Sequence, residues 1–243
     1  MNNLKSQIEK MAKYFITLTI SIIIVFLFWG VFQFIIIQLY AGNVDYGIQP
    51  WQQHNPSAKM KVLFAGDSTA VGIGATDNAM STSGRFSKDF PDVHVENHSR
   101  SGLRLGGLIE ILNDLQGKKF DIAILQIGAN DIIRFTPFKE IENNLQQVLR
   151  LTRQIAKKII LLHSGDIGEV PIFLWPLNRI YTQRTLIMRE IYRAASRSAD
   201  ISYVDIYALN KKIKNGRQKY AKDDFHLNDQ GYNRWYTYIK SKL

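Results

Sequence analysis

Lys61-Val62-Leu63-Phe64-Ala65-Gly66-Asp67-Ser68 is a short apolar run closed by a glycine, an acid and a hydroxyl. Residues 62–65 are apolar without alternation, the pattern of a strand covered on both faces. Further runs follow. Residues 93–95, 121–127, 159–162 and 201–206 read as strands. Between them the apolar spacing turns helical. In residues 105–115 it is carried by Leu105, Leu108, Ile109, Leu112 and Leu115, and in residues 138–156 by Ile141, Leu145, Val148, Leu149, Thr152 and Ile155. Residues 177–199 and 229–240 read as two more helices. Strands separated by helices of this length predict a parallel sheet with helices on both faces, joined by right-handed crossovers.

In an open sheet of this kind, sites form beyond the carboxyl ends of the strands. Three polar clusters fall there. Gly66-Asp67-Ser68 follows the first strand, residues 97–102 the second, and Gly128-Ala129-Asn130-Asp131 the third. A fourth cluster, Asp223-Asp224-Phe225-His226, precedes the closing helix.

Ser68 is the candidate nucleophile. A serine hydroxyl is a poor nucleophile at neutral pH and needs a base in hydrogen-bond reach. On local pattern alone, Ser68-Thr69 serves equally well as a helix cap. His226 is the candidate base, because imidazole titrates near neutrality and can take and return a proton. Of the other histidines, His163 is the rival, since it ends a strand on the same side of the sheet. Asp223 would accept the proton on the second ring nitrogen of His226, which sets the tautomer. Asp224 is adjacent and offers the same group. A backbone N–H at Gly102, the Ser68 N–H and the Asn130 amide are candidate donors to a developing oxyanion. Taken singly, Gly102 and Asn130 read equally well as loop residues.

As a set, these residues resemble the blocks of the SGNH hydrolase family, also called the GDSL lipase/esterase family. The first block is Gly66-Asp67-Ser68, with Thr69 where the family often has leucine. The second resembles Asn97-His98-Ser99-Arg100-Ser101-Gly102. The third is Gly128-Ala129-Asn130-Asp131, and the last is Asp223-Asp224-Phe225-His226. The resemblance implies a three-layer α/β/α domain with a parallel, five-stranded sheet. It implies Ser68, Asp223 and His226 as a catalytic triad, and Ser68, Gly102 and Asn130 as oxyanion donors. No cofactor or metal is implied. Residues 164–171, Ser-Gly-Asp-Ile-Gly-Glu-Val-Pro, match no motif of the family that defines a substrate.

The front of the chain reads differently. No charge occurs between Lys13 and Asp45, and about 20 apolar residues suffice to cross a bilayer as a helix. Residues 14–40 are therefore expected to form one transmembrane helix, an uncleaved signal anchor, after a cytoplasmic segment 1–13. Residues 41–59, with two prolines and no periodicity, read as a linker, and 60–243 as the hydrolase domain. Lys5, Lys10 and Lys13 precede the span, so the positive-inside rule leaves the N-terminus in the cytoplasm and exports the rest to the bacterial cell envelope. The chain has no cysteine, which excludes disulfides.

The net charge is +10, of which residues 1–40 contribute +2. No zinc-finger spacing or RNA-binding motif accompanies that charge, so nucleic acid is not an expected partner. Association with the lipid bilayer or an anionic polymer explains it better. The expected function is a membrane-anchored serine esterase acting on an acyl-ester substrate, with a small acyl group on an envelope glycan placed first. A lysophospholipid or other lipid ester is the alternative. A non-catalytic, membrane-tethered binding protein is the third reading. Ile172-Phe173-Leu174-Trp175 is expected in the core.

Overall fold

The computed structural model describes residues 2–40, 47–197, 200–211 and 216–243. The chain divides into two units, residues 1–43 and residues 44–243. In the first, helix α1 (Asn2–Tyr40) runs for 39 residues, about 58 Å at 1.5 Å per residue. Residues 5–33 of it are long and apolar enough to cross a membrane, and an 18-residue stretch within them has mean hydropathy 2.6. Ile22, Ile23, Ile24, Val25, Phe26 and Leu27 are consecutive and all stand exposed on it, so its apolar surface is not confined to one stripe.

The second unit alternates strand and helix: β1 (Lys61–Gly66), α2 (Ser68–Val71), α3 (Thr82–Asp89), β2 (His94–Asn97), α4 (Leu105–Asp114), β3 (Phe120–Gln126), α5 (Ala129–Ile133), α6 (Phe138–Ile155), β4 (Ala156–Leu162), α7 (Leu177–Ala195), β5 (Ile201–Val204), α8 (Ile206–Asn210) and α9 (Asp229–Lys240). The five strands form one parallel sheet in the order β2-β1-β3-β4-β5. The chain leaves β1 in one direction to make β2, then returns past β1 to make β3. That reversal opens a crevice at the carboxyl ends of β1 and β3.

The sheet is covered on both faces because its strands are apolar on both. Val62, Phe64, Val95, Ile124, Ile160, Leu162 and Val204 share a core with Phe86 of α3 and with Tyr232, Trp235, Tyr236 and Ile239 of α9. The alternate residues Leu63, Ala65, Ala123, Leu125, Ile159 and Leu161 are equally buried and point to the opposite face. There α4 packs on α6, and α6 on α7. Phe64 has no exposed surface, and its truncation to alanine is expected to cost about 3–5 kcal/mol.

Several boundaries differ from the sequence reading, each for a local reason. Helix α6 passes directly into β4 at Ala156, three residues before the apolar run begins. Strand β5 stops at Val204, because Asp205 caps α8 by accepting from Ala208 N at 3.0 Å. Helix α7 ends at Ala195, and residues 198–199 of the expected helix lie outside the described residues. The latter part of the expected linker runs along β2. Gln53 exchanges backbone hydrogen bonds with Val95 at 3.0 and 2.9 Å, and its side chain donates to the Val93 carbonyl. These contacts occupy an edge that would otherwise present open backbone groups.

Candidate active site

Strand β1 delivers Ser68 to the crevice through a close crossing. A Cβ on Gly66 would lie 1.9 Å from the Gln126 carbonyl oxygen, so only glycine lets β1 pass β3 here. Asp67 then caps α2, rather than the Ser68-Thr69 pair. Its Oδ1 accepts from Thr69 N at 2.9 Å and Thr69 Oγ1 at 2.8 Å, while its own N–H donates to Gln126 O at 3.0 Å. Burial pushes the Asp67 carboxyl up, and its hydrogen bonds from Thr69 and the Ala129 N–H partly offset this. Ser68 is the first residue of α2 and is 8% exposed.

His226 arrives from a tight loop before α9. Asp223 Oδ1 accepts the N–H groups of Phe225 and His226, both at 3.0 Å, and its Oδ2 lies 2.6 Å from His226 Nδ1. A carboxylate at Nδ1 selects the tautomer protonated there and leaves Nε2 as the acceptor. Burial raises the Asp223 pKa, but the hydrogen bond and charge of His226 and the two N–H donors outweigh it. The net shift is downward. The neighbouring Asp224 is exposed, with φ 54°, and takes no part in this arrangement. The loop closes through Ala221 N to His226 O at 2.8 Å.

Ser68 and His226 line one cavity of about 60 Å³, together with Ser164, Asp166, Lys219 and Trp235. A volume of that size holds a few water molecules. Gly102 and Asn130 are not part of its wall. Gly102 lies in the loop after β2, and Asn130 in α5 after β3. Since β1 lies between β2 and β3, the two flank the Ser68 segment. The β2 loop is tied to that segment: Arg100 N donates to Gly66 O at 3.0 Å, and Asn97 Nδ2 to Ala70 O at 2.9 Å. Asp131, next to Asn130, accepts from Leu105 N at 3.0 Å. Burial pushes its carboxyl up to about 6.

His163 does not line the cavity. It is 1% exposed, stands between the rings of Tyr192 and Tyr203, and its Nδ1 contacts the Ser164 carbonyl. Burial lowers its pKa to about 4. The 172–175 stretch divides: Ile172 and Phe173 are buried, whereas Leu174 and Trp175 are 43% and 62% exposed. Among the described residues, no group of three or more His, Cys, Asp or Glu side chains could hold a metal ion.

Sequence reasoning missed Ser164, Asp166 and Lys219 as cavity residues. Residues 164–170 carry no periodicity, and Lys219 resembles any surface lysine. The one available signal was position, since residues 163–171 follow β4 at the carboxyl edge of the sheet.

The sequence profile of the GDSL-like Lipase/Acylhydrolase family matches residues 64–234. No curated protein matches the chain significantly by sequence. Solved structures do match. The lipase Lip_vut3 from a goat rumen metagenome is 16% identical with a TM-score of 0.60, covering 75% of this chain and 97% of its own. A member of the lipolytic protein G-D-S-L family from Veillonella parvula DSM 2008 is 16% identical with a TM-score of 0.62, again over 75% and 97%. The acetylxylan esterase Axe2 from Geobacillus stearothermophilus is 21% identical with a TM-score of 0.55, over 76% and 94%.

Proposed function

Because the chain belongs to the GDSL-like Lipase/Acylhydrolase family, a family of carboxylic ester hydrolases, we propose that it is a membrane-anchored serine esterase that removes a small acyl group from an envelope glycan. The observation that carries this reading is the Asp223–His226 pair at 2.6 Å with its imidazole on the cavity that also holds Ser68. In the proposed reaction, His226 Nε2 takes the Ser68 proton as Oγ attacks the ester carbonyl. Negative charge builds on the carbonyl oxygen, where the N–H groups of Ser68 and Gly102 and the Asn130 amide donate to it. His226 then protonates the departing alcohol. Water repeats the attack on the acyl-enzyme and frees the acid, with Asp223 holding the imidazolium throughout.

The compact cavity supports a short acyl group, since a fatty chain needs a longer apolar channel. The acetylxylan esterase among the structural neighbours makes acetylated glycans the natural first panel. Exposed Leu174 and Trp175 favour the second reading, a lipid ester. A series of 4-nitrophenyl esters from acetyl to dodecanoyl separates the two, with Ser68→Ala as the blank. The reading expects kcat/KM to fall with chain length. A maximum at long chains would transfer the assignment to a lipid substrate.

For the tether, residues 14–40 are the proposed anchor, 1–13 its cytoplasmic lead, 41–59 the linker and 60–243 the exported domain. The apolar span and the lysines before it support this arrangement.

A further inference from the structure

The cavity beside Ser68 contains a lysine that the reaction above does not use. Lys219 is 4% exposed. Its backbone is held in place: Asn228 N donates to its carbonyl at 2.9 Å, and Asn228 Nδ2 donates to the carbonyls of Gln218 and Tyr220 on either side. Among the described residues its ammonium makes one ion pair, with Glu169 at 3.7 Å, and the Glu169 side chain is itself 43% exposed. Nζ also lies 5.2 Å from the centroid of the Tyr220 ring. Three N–H donors thus share one long contact to a carboxylate. Burial pushes the ammonium pKa down; Glu169 and Asp166 oppose that shift, and Arg234 adds to it. A buried cation is costly unless it is closely paired.

The rest of this wall offers a further unpaired donor. Ser164 is 6% exposed, and its Oγ makes no hydrogen bond to any described residue. One oxygen of Asp166, the acid that lines the same cavity, is committed elsewhere. Its Oδ1 accepts from Gly168 N at 3.0 Å and from Thr182 Oγ1 at 2.9 Å. Two independent features therefore leave room for a ligand oxygen: a buried ammonium held by one long ion pair, and a buried hydroxyl with no hydrogen bond.

We infer that Lys219 and Ser164 form a subsite for an anionic oxygen group of the substrate, a carboxylate or a phosphate, carried within a few bonds of the ester. The subsite's place in catalysis rests on the esterase reading, but its binding chemistry does not. An entering anion pairs an ammonium that is otherwise poorly compensated, so charged esters are selected over neutral ones of the same size.

The test is calorimetric titration of the full-length chain in neutral detergent. The probes are sodium acetate, inorganic phosphate and the neutral isostere acetamide, at matched ionic strength. Saturable binding of acetate or phosphate is expected, with acetamide and the Lys219→Met variant each weaker by about tenfold or more. The tighter of the two anions identifies the source as carboxylate or phosphate. The proposal is overturned if neither anion saturates, if acetamide matches acetate, or if Lys219→Met binds as the wild type does. Should Lys219→Met lose its thermal transition, Ser164→Ala replaces it. That variant is expected to weaken anion binding at least about threefold, and unchanged affinity there overturns the proposal equally. Hydrolysis of 4-nitrophenyl acetate is followed in parallel. Anion binding without turnover counts against the esterase reading alone, and turnover without Lys219-dependent binding counts against the subsite alone.

Discussion

Asp223 holds His226 at both ends of one residue: Oδ2 lies 2.6 Å from the ring Nδ1, and Oδ1 accepts the His226 backbone N–H at 3.0 Å. One carboxylate therefore fixes the ring, the main chain that carries it and the tautomer that faces the cavity. Asp223→Asn keeps the shape but loses the charge and presents the wrong tautomer. We expect kcat to fall by about 10³–10⁴-fold with the circular dichroism spectrum unchanged. The folded pKa of Asp223 is depressed, so its contribution to stability is complete above the unfolded pKa of about 3.9 and is lost as pH falls through the folded value. Acid unfolding of the variant should lack that component.

Gly74 seats the same loop from below. At φ 94°, a Cβ there would lie 2.5 Å from the Leu227 carbonyl oxygen and 2.8 Å from His226 Cβ. Gly74→Ala must push the imidazole out of place, so a stability loss of about 1–3 kcal/mol is expected from backbone strain and overpacking. The displaced base should also lower kcat by on the order of 10²-fold. Thermal melting and ester turnover measured on one preparation check both effects, and wild-type values for both would refute the seating.

His163 gives the structure a pH-dependent weakness of its own. Its folded pKa, lowered to about 4 by burial, lies below the ordinary value of about 6.5. Between those values the unfolded chain binds a proton that the folded chain refuses. Stability is thus lost as pH falls from about 6.5 to about 4, by on the order of 3 kcal/mol. Chemical denaturation of His163→Phe across that range should show a flatter profile than the wild type. Equal slopes would show that His163 does not govern it.

Legibility of the sequence followed the range of the interactions. The strands and long helices were readable because their apolar spacing is local: Val62 to Ala65 for β1, Ile141 to Ile155 for α6. The Asp223–His226 unit was readable for the same reason, with the base three positions after the acid. Helix α3, TSGRFSKD, was missed because Phe86 is its one large apolar residue; its cap, Ser81, is adjacent, but its packing on α9 is long-range. Helices α5 and α8, of five residues each, are too short to show a period. The cavity wall was illegible because its members meet through long-range packing. A Cβ on Gly168 would meet Asn178 O and Thr182 Oγ1, both at 2.1 Å, so the segment from Ser164 onward is placed by α7. Lys219 becomes distinctive only once its burial is known.

The absence of cysteine makes topology measurable without background. Lys242 is exposed near the C-terminus, and Lys242→Cys supplies a single thiol. A membrane-impermeant maleimide should label it on intact cells to the same extent as after lysis. Labelling only after lysis would reverse the proposed orientation.

The most direct test reads the attacking atom itself. The full-length protein, in neutral detergent, is treated with a fluorophosphonate and digested, and the adduct is located by mass spectrometry. We expect one stoichiometric adduct on the Ser68 hydroxyl, formed with loss of esterase activity and greatly slowed in His226→Ala. A protein that hydrolyses esters while its Ser68 peptide stays unmodified, or that keeps its activity as Ser68→Ala, would contradict the account.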